Sequence, residues 1–413
     1  MKKIMIKPQF LFYFTCVFAC INMYGQFESP DYLQYPFIKK EKNNLEIYGY
    51  KSWKTFFNKL DNQYSKGNEK VNILHIGGSH IQADIWSNKM RTNFQNALPF
   101  YQSGRGFVFP FRLINSNGSP VIKSNHTGRW KGYRNSVYSH NGPFGLMGAR
   151  AELLDTLSII NIWHENPEIE YDSFSSVTLF YKDSNNFEIK ILLDSNIEIK
   201  SKKGKESITF SFSENVDSLA IQIKKIRVNS GNFLFFGLYL DNDINGITYH
   251  SIGVNGASVK SYLRCENLVS ELNWVKPDLV IFSIGINDAY EEDFSKDLFY
   301  QNYDTLIDKI KSVNPNVAIL LTTNNDSYYK VKYPNERALE VQKQMKKLAE
   351  NKNLAVWDMF DIMGGLNSIK EWEKNQLAKK DLIHLSYDGY NLIGDLLFDA
   401  LIKSYIKYKK NRG

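Results

Sequence analysis

A serine hydroxyl becomes a useful nucleophile when a base removes its proton and hydrogen-bond donors meet the negative charge that follows. The parts for this are spread over four short segments: Gly77-Gly78-Ser79-His80, Asn255-Gly256, Gly285-Ile286-Asn287-Asp288 and Asp381-Leu382-Ile383-His384. Ser79 is the candidate nucleophile and His384 the candidate base. Asp381, three residues before His384, could hold the imidazole in the useful tautomer and stabilise the imidazolium. The N–H of Ser79, the N–H of Gly256 and the side-chain amide of Asn287 would supply an oxyanion hole, each donor worth roughly 10²–10³ in rate. Taken alone, Gly77-Gly78-Ser79 reads equally well as an ordinary strand-to-helix turn with serine as N-cap.

Other polar residues near these segments have two readings each. His80 adjoins Ser79 but would point elsewhere than a base must, which leaves a substrate-side or hydrogen-bonding role; Asp288 is either a loop cap or a substrate-side group. His75 and His80 diverge on a strand and its following turn without a third ligand, so no metal is expected there. Trp130 and Trp163 could stack on sugars or fill a core. Asn125-His126-Thr127 and Asn325-Asp326-Ser327 both match a glycosylation sequon.

The elements that would position these groups alternate strand and helix. Val71–Ile76 is an apolar strand leading into Gly-Gly-Ser, with a helix after it and another predicted before it over 44–66. Strands are expected at 249–254, 277–285, 316–322 and 354–357, and helices at 299–313, 336–349 and 389–408. This alternation predicts a parallel sheet with helices on both faces, whose ligands bind at the carboxyl ends of the strands. All four segments fall there. Between Gly104 and about Asn245 the texture changes to short alternating runs separated by polar turns, at 176–181, 187–193, 207–212, 219–228 and 233–240, which predict an inserted β-sandwich or jelly roll.

Length and composition permit this architecture. A chain of 413 residues can bury a large core and form more than one domain. Lys2, Lys3 and Lys7 precede an apolar run from Phe10 to Ile21 that is short for a membrane span, so residues 1–25 read as a secretory signal peptide. An imperfect lipobox, Val17-Phe18-Ala19-Cys20, offers a lipid anchor at Cys20 as the second choice. The formal charge of +7 falls to +4 without the three leader lysines, its basic residues are dispersed, and no nucleic-acid motif stands out. Cys265 is the one cysteine beyond the leader, which leaves no intrachain disulfide in a mature chain.

In this order, the four segments resemble the blocks of the SGNH (GDSL-type) hydrolase superfamily over residues 70–105 and 246–405. The resemblance assigns Ser79 as nucleophile, Gly256 and Asn287 as oxyanion-hole residues, and Asp381 with His384 as the Asp-x-x-His block. It implies a flavodoxin-like three-layer α/β/α domain at 26–105 and 246–413, interrupted by the β-module at 106–245, which itself resembles a carbohydrate-binding domain. One position departs: the family usually has aspartate where this chain has Gly78. Asp84 or Asp288 could compensate. The inserted sandwich narrows the resemblance to secreted or periplasmic peptidoglycan O-acetylesterases and related carbohydrate esterases, with an acetylated glycan as partner, an acyl-serine intermediate and no cofactor. The alternatives are a lipase, thioesterase or arylesterase, a polysaccharide O-acetyltransferase, and a glycan-binding surface protein without turnover.

Overall fold

The computed structural model describes residues 35–97, 103–165, 173–183, 186–227 and 231–411; the leader with Cys20 lies outside them. The chain opens with β1 (Leu45–Ile47), α1 (Tyr50–Lys66) and β2 (Lys70–Gly77), followed by α2 (Ser79–Gln82) and α3 (Trp86–Asn96). The helix expected over 44–66 is thus two elements. Its first apolar residues pair as an edge strand, Leu45 opposite Trp357 and Ile47 opposite Ala355.

Eleven strands follow within the inserted segment: β3 (Gly106–Val108), β4 (Ile122–His126), β5 (Trp130–Arg134), β6 (Ala149–Leu153), β7 (Leu157–His164), β8 (Phe174–Lys182), β9 (Phe187–Leu192), β10 (Ile199–Lys203), β11 (Ser207–Val216), β12 (Ser218–Lys225) and β13 (Phe233–Asp241). They form two antiparallel sheets, ordered β10-β11-β8-β13-β6-β5 with β3 also on β13, and β4-β7-β12-β9. Strands β4 to β7 were not separated by sequence, because their alternation is interrupted by Gly, Asn and Ser turns. Leu219, Ile221 and Ile223 alternate inward along β12, the half-buried pattern expected of a sandwich strand.

The chain then returns through β14 (Gly246–Gly253), α4 (Val259–Leu263), α5 (Leu268–Val275), β15 (Leu279–Ser283), α6 (Lys296–Val313) and β16 (Ala318–Thr322). A short hairpin, β17 (Tyr328–Tyr329) and β18 (Tyr333–Pro334), precedes α7 (Arg337–Asn351), β19 (Ala355–Trp357), α8 (Met359–Ile362), α9 (Ser368–Lys374) and α10 (Tyr387–Lys410). The six-stranded sheet runs β1-β19-β16-β15-β2-β14, parallel except at β1. Its central strands are apolar on both faces, as a sheet covered on both sides requires.

Two cores result. One packs Ile73, Ile281 and Leu320 of the sheet against Trp53, Phe57, Leu397 and Leu401 of α1 and α10. The other is continuous from Leu74, Ile252 and Phe282 on the opposite sheet face into Phe107, Phe180 and Phe235 of the sandwich. The inserted segment therefore shares a core with the parallel sheet. No helix among the described residues is long and apolar enough to cross a membrane.

Candidate active site

Strand β2 ends at Gly77, and Ser79 begins α2 at the carboxyl edge of the sheet. His384 precedes α10 on a tight loop in which Leu382, at φ 55, adopts the left-handed conformation. This places the His384 Nε2 2.8 Å from the Ser79 Oγ. The other ring nitrogen, Nδ1, lies 2.9 Å from Asp381 Oδ2, while the second carboxylate oxygen accepts the backbone N–H groups of Ile383 and His384 at 3.0 and 2.9 Å. Asp381 thus fixes both the loop and the ring. Partial burial works against its charge, but the hydrogen bonds from His384 and Ile383 outweigh this and hold its carboxyl below the usual carboxylate range.

Asn287 follows β15 and directs its amide at the loop after β14, donating to the Ala257 carbonyl at 2.8 Å. Gly256, on that loop, has φ +77, a conformation that glycine adopts without strain. Gly78 lies between the two: a Cβ there would stand 3.0 Å from Asn287 Nδ2 and 3.3 Å from the Ala257 carbonyl oxygen. Where relatives have aspartate, this backbone therefore admits close approach of the Asn287 amide. Neither proposed substitute for the missing carboxylate touches Gly78. Asp84 is buried and binds Arg105, Ser87 and Ser119, tying the segment after α2 to the inserted module. Asp288 accepts the Val259 N–H through both oxygens at 3.2 and 3.1 Å and so holds the start of α4. Burial raises its pKa to about 7.

Of the two readings each for His80 and Asp288, the inward-facing one is observed. Asp288 is spent on Val259, and His80 is buried, its Nδ1 2.6 Å from the Tyr390 hydroxyl on α10. Burial and the neighbouring His384 push the His80 pKa down to about 3, so this imidazole is neutral. His75 joins the Tyr249 and Ser283 hydroxyls in the interior. Trp130 is a core residue whose indole N–H donates to Ser158, whereas Trp163 remains partly exposed. The Asn325 sequon is buried. Its amide instead donates to the Ile383 carbonyl at 2.9 Å and props the His384 loop.

Asn325 and Tyr390 were both missed from sequence; the first was masked by its sequon and the second is one apolar-face position of a long helix. A cavity of about 320 Å³ lies where the inserted module meets the sheet domain, lined by Gln82, Arg105, Phe109, Asn117, Ser119 and Trp163 among others. Ser79, Gly256, Asn287 and His384 do not line it.

Residues 235–392 match the model of the GDSL-like Lipase/Acylhydrolase family. The match holds Gly256, Asn287, Asp381 and His384; Ser79 precedes it, separated by the inserted module. No curated protein matches the chain. Among solved structures, "Peptidoglycan O-acetylesterase in action, 5 min" superposes with TM-score 0.73 at 21% identity, covering 88% of this chain and 99% of that one. The lipase/acylhydrolase from Enterococcus faecalis (TM-score 0.30, 21% identity) covers 38% of this chain and 75% of its own. A carbohydrate esterase family 3 protein from Talaromyces cellulolyticus (TM-score 0.31, 16% identity) covers 38% and 73%. The ordered site segments thus lie together at one edge of the parallel sheet, and four of the five residues fall inside the stretch that is similar to the GDSL-like Lipase/Acylhydrolase family.

Proposed function

We propose that this protein removes O-acetyl groups from a polysaccharide of the cell envelope, peptidoglycan foremost, through an acyl-serine intermediate. The observation that carries the reading is the Ser79 Oγ to His384 Nε2 distance of 2.8 Å, with Asp381 on the far ring nitrogen. Ser79 Oγ attacks the acetyl carbonyl carbon and its proton passes to His384 Nε2. Charge on the carbonyl oxygen meets the N–H groups of Ser79 and Gly256 and the amide of Asn287. When the bond from the carbonyl carbon to the sugar oxygen breaks, His384 returns the proton to that oxygen and the acetyl group stays on Ser79. Water then attacks the acyl-serine, giving its proton to His384, and Ser79 leaves with that proton as acetate is released.

Two further features support the glycan. A sandwich flanks the sheet domain, and the acetylesterase superposition spans both parts of the chain. The reading includes export, with residues 1–25 removed as a leader. Acetate release by purified 26–413 from acetylated peptidoglycan, xylan and soluble acetyl esters tests it. Turnover confined to long-chain esters would make the protein a lipase, and transfer of the acetyl group from Ser79 to an added glycan hydroxyl in preference to water would make it a transferase.

A further inference from the structure

We infer that Ser136, which belongs to the inserted β-module, is a positioning residue for the oxyanion hole. The inference rests on the esterase reading and extends it by giving the module a part in catalysis itself. The carbonyl of Asn255 and the N–H of Gly256 are the two ends of one planar peptide unit, and in a trans peptide they point in opposite directions. The Ser136 hydroxyl donates to the Asn255 carbonyl oxygen at 2.7 Å. That bond fixes the plane of the unit and so aims the Gly256 N–H the other way. The Ala257 N–H closes a turn around this unit onto the Val254 carbonyl at 3.0 Å, with Gly256 at φ +77, and Ser136 is the side chain that holds the unit's carbonyl from the module side; a Cβ on Gly256 would meet only Ser136, at 3.8 Å.

The preceding peptide is fixed in the same way. The Asn255 N–H donates at 2.6 Å to Gln82 Oε1, on the short helix that begins with Ser79. Gln82 in turn donates to the Asn117 carbonyl at 2.7 Å, and the Asn255 side chain donates to Asn117 Oδ1 at 2.7 Å. The serine helix, the oxyanion loop and two module loops are therefore joined through Asn255. The loop bearing Ser136 is itself anchored, since Arg264 donates to the carbonyls of Asn135 and Val137 at 2.7 and 3.0 Å. Asn287 and Asp288 hold the opposite side of the oxyanion loop at Ala257 and Val259.

The test is the steady-state kinetics of Ser136→Ala and Ser136→Thr in the full mature chain, on a small soluble acetyl ester that has no glycan to engage the module. Ser136→Ala should lower kcat about tenfold, part of the loss seen when an oxyanion donor is removed outright. KM should stay within about twofold and the acidic limb of the pH profile should not move, because the His384–Asp381 pair is untouched. Ser136→Thr, which keeps the hydroxyl, should restore kcat to within about threefold of wild type. Thermal unfolding midpoints establish that both variants are folded. A Ser136→Ala kcat within about threefold of wild type overturns the inference, whatever happens on polymer. Wild-type turnover that is absent, or that survives Ser79→Ala, would instead remove the esterase reading beneath it.

Discussion

The ring of His80 lies 5.2 Å from that of His384 at an interplanar angle of 40°, and a 2.6 Å hydrogen bond to the Tyr390 hydroxyl keeps it there. A neutral imidazole is thus built in beside the candidate base, on the residue next to the candidate nucleophile. Had it been protonated, it would oppose the imidazolium that His384 must form.

Tyr390→Phe should expose the importance of that bond. It leaves the buried His80 Nδ1 without its partner, which costs about 1–3 kcal/mol. Urea unfolding should show a lower midpoint with an unchanged slope. An unchanged midpoint would mean that the ring finds another partner.

Gly78→Ala should lower kcat by roughly an order of magnitude, since the added methyl presses on the Asn287 amide and an oxyanion donor must be closely aimed. KM should change less. Comparing kcat and KM on a soluble acetyl ester checks this, and an Ala variant with wild-type kcat would show that Asn287 yields without consequence.

Asn325→Ala removes the donor to the Ile383 carbonyl and frees the loop on which His384 must meet Ser79. A displacement of about 1 Å at a reacting group can cost up to about 100-fold, so a drop in kcat of ten- to a hundredfold is expected. Asp381→Asn goes further, because it disturbs the ring tautomer as well as the loop; up to about 10⁴-fold in kcat is expected.

Stability should be greatest near pH 6.5, because below it three histidines outweigh two carboxyls and above it only the carboxyls change, and it should fall on both sides. Burial lowers the pKa of His75, His80 and His250 to about 3. Their contribution is present above the unfolded value of 6.5 and is lost as pH falls toward the folded one. Burial raises Glu271 to about 8 and Asp288 to about 7. Those contributions are present at low pH and are lost as pH rises through the folded values, so in the middle range the two sets oppose one another. Glu271→Gln should flatten the alkaline limb in urea unfolding measured across pH.

The candidate site was legible in sequence because a parallel sheet gathers strand ends at one edge: Ser79, Gly256 and Asn287 each follow a strand, and the loop before the last helix brings His384 to Ser79. The parallel strands were legible for the same physical reason: buried on both faces, they read as unbroken apolar runs. Leu45–Ile47 was not, because three residues on an edge carry too little period to separate from the helix that follows. The second tier of residues was also out of reach. Ser136 and Asn325 act on backbone atoms of Asn255 and Ile383, and a backbone partner leaves no mark in residue type. His80 and Asp288 each had two readings in sequence, because adjacency to Ser79 and Asn287 does not reveal that the turns direct their side chains inward, to Tyr390 and to the Val259 N–H.

The central claim is that Ser79 carries the acyl group. Rapid acid quench of the mature chain with an activated acetyl ester, followed by peptide mass mapping, measures this directly. The account predicts an acetylated peptide bearing Ser79 that appears within the first turnover, and neither acetylation nor acetate release in Ser79→Ala. Acetate release at the wild-type rate by Ser79→Ala would contradict it.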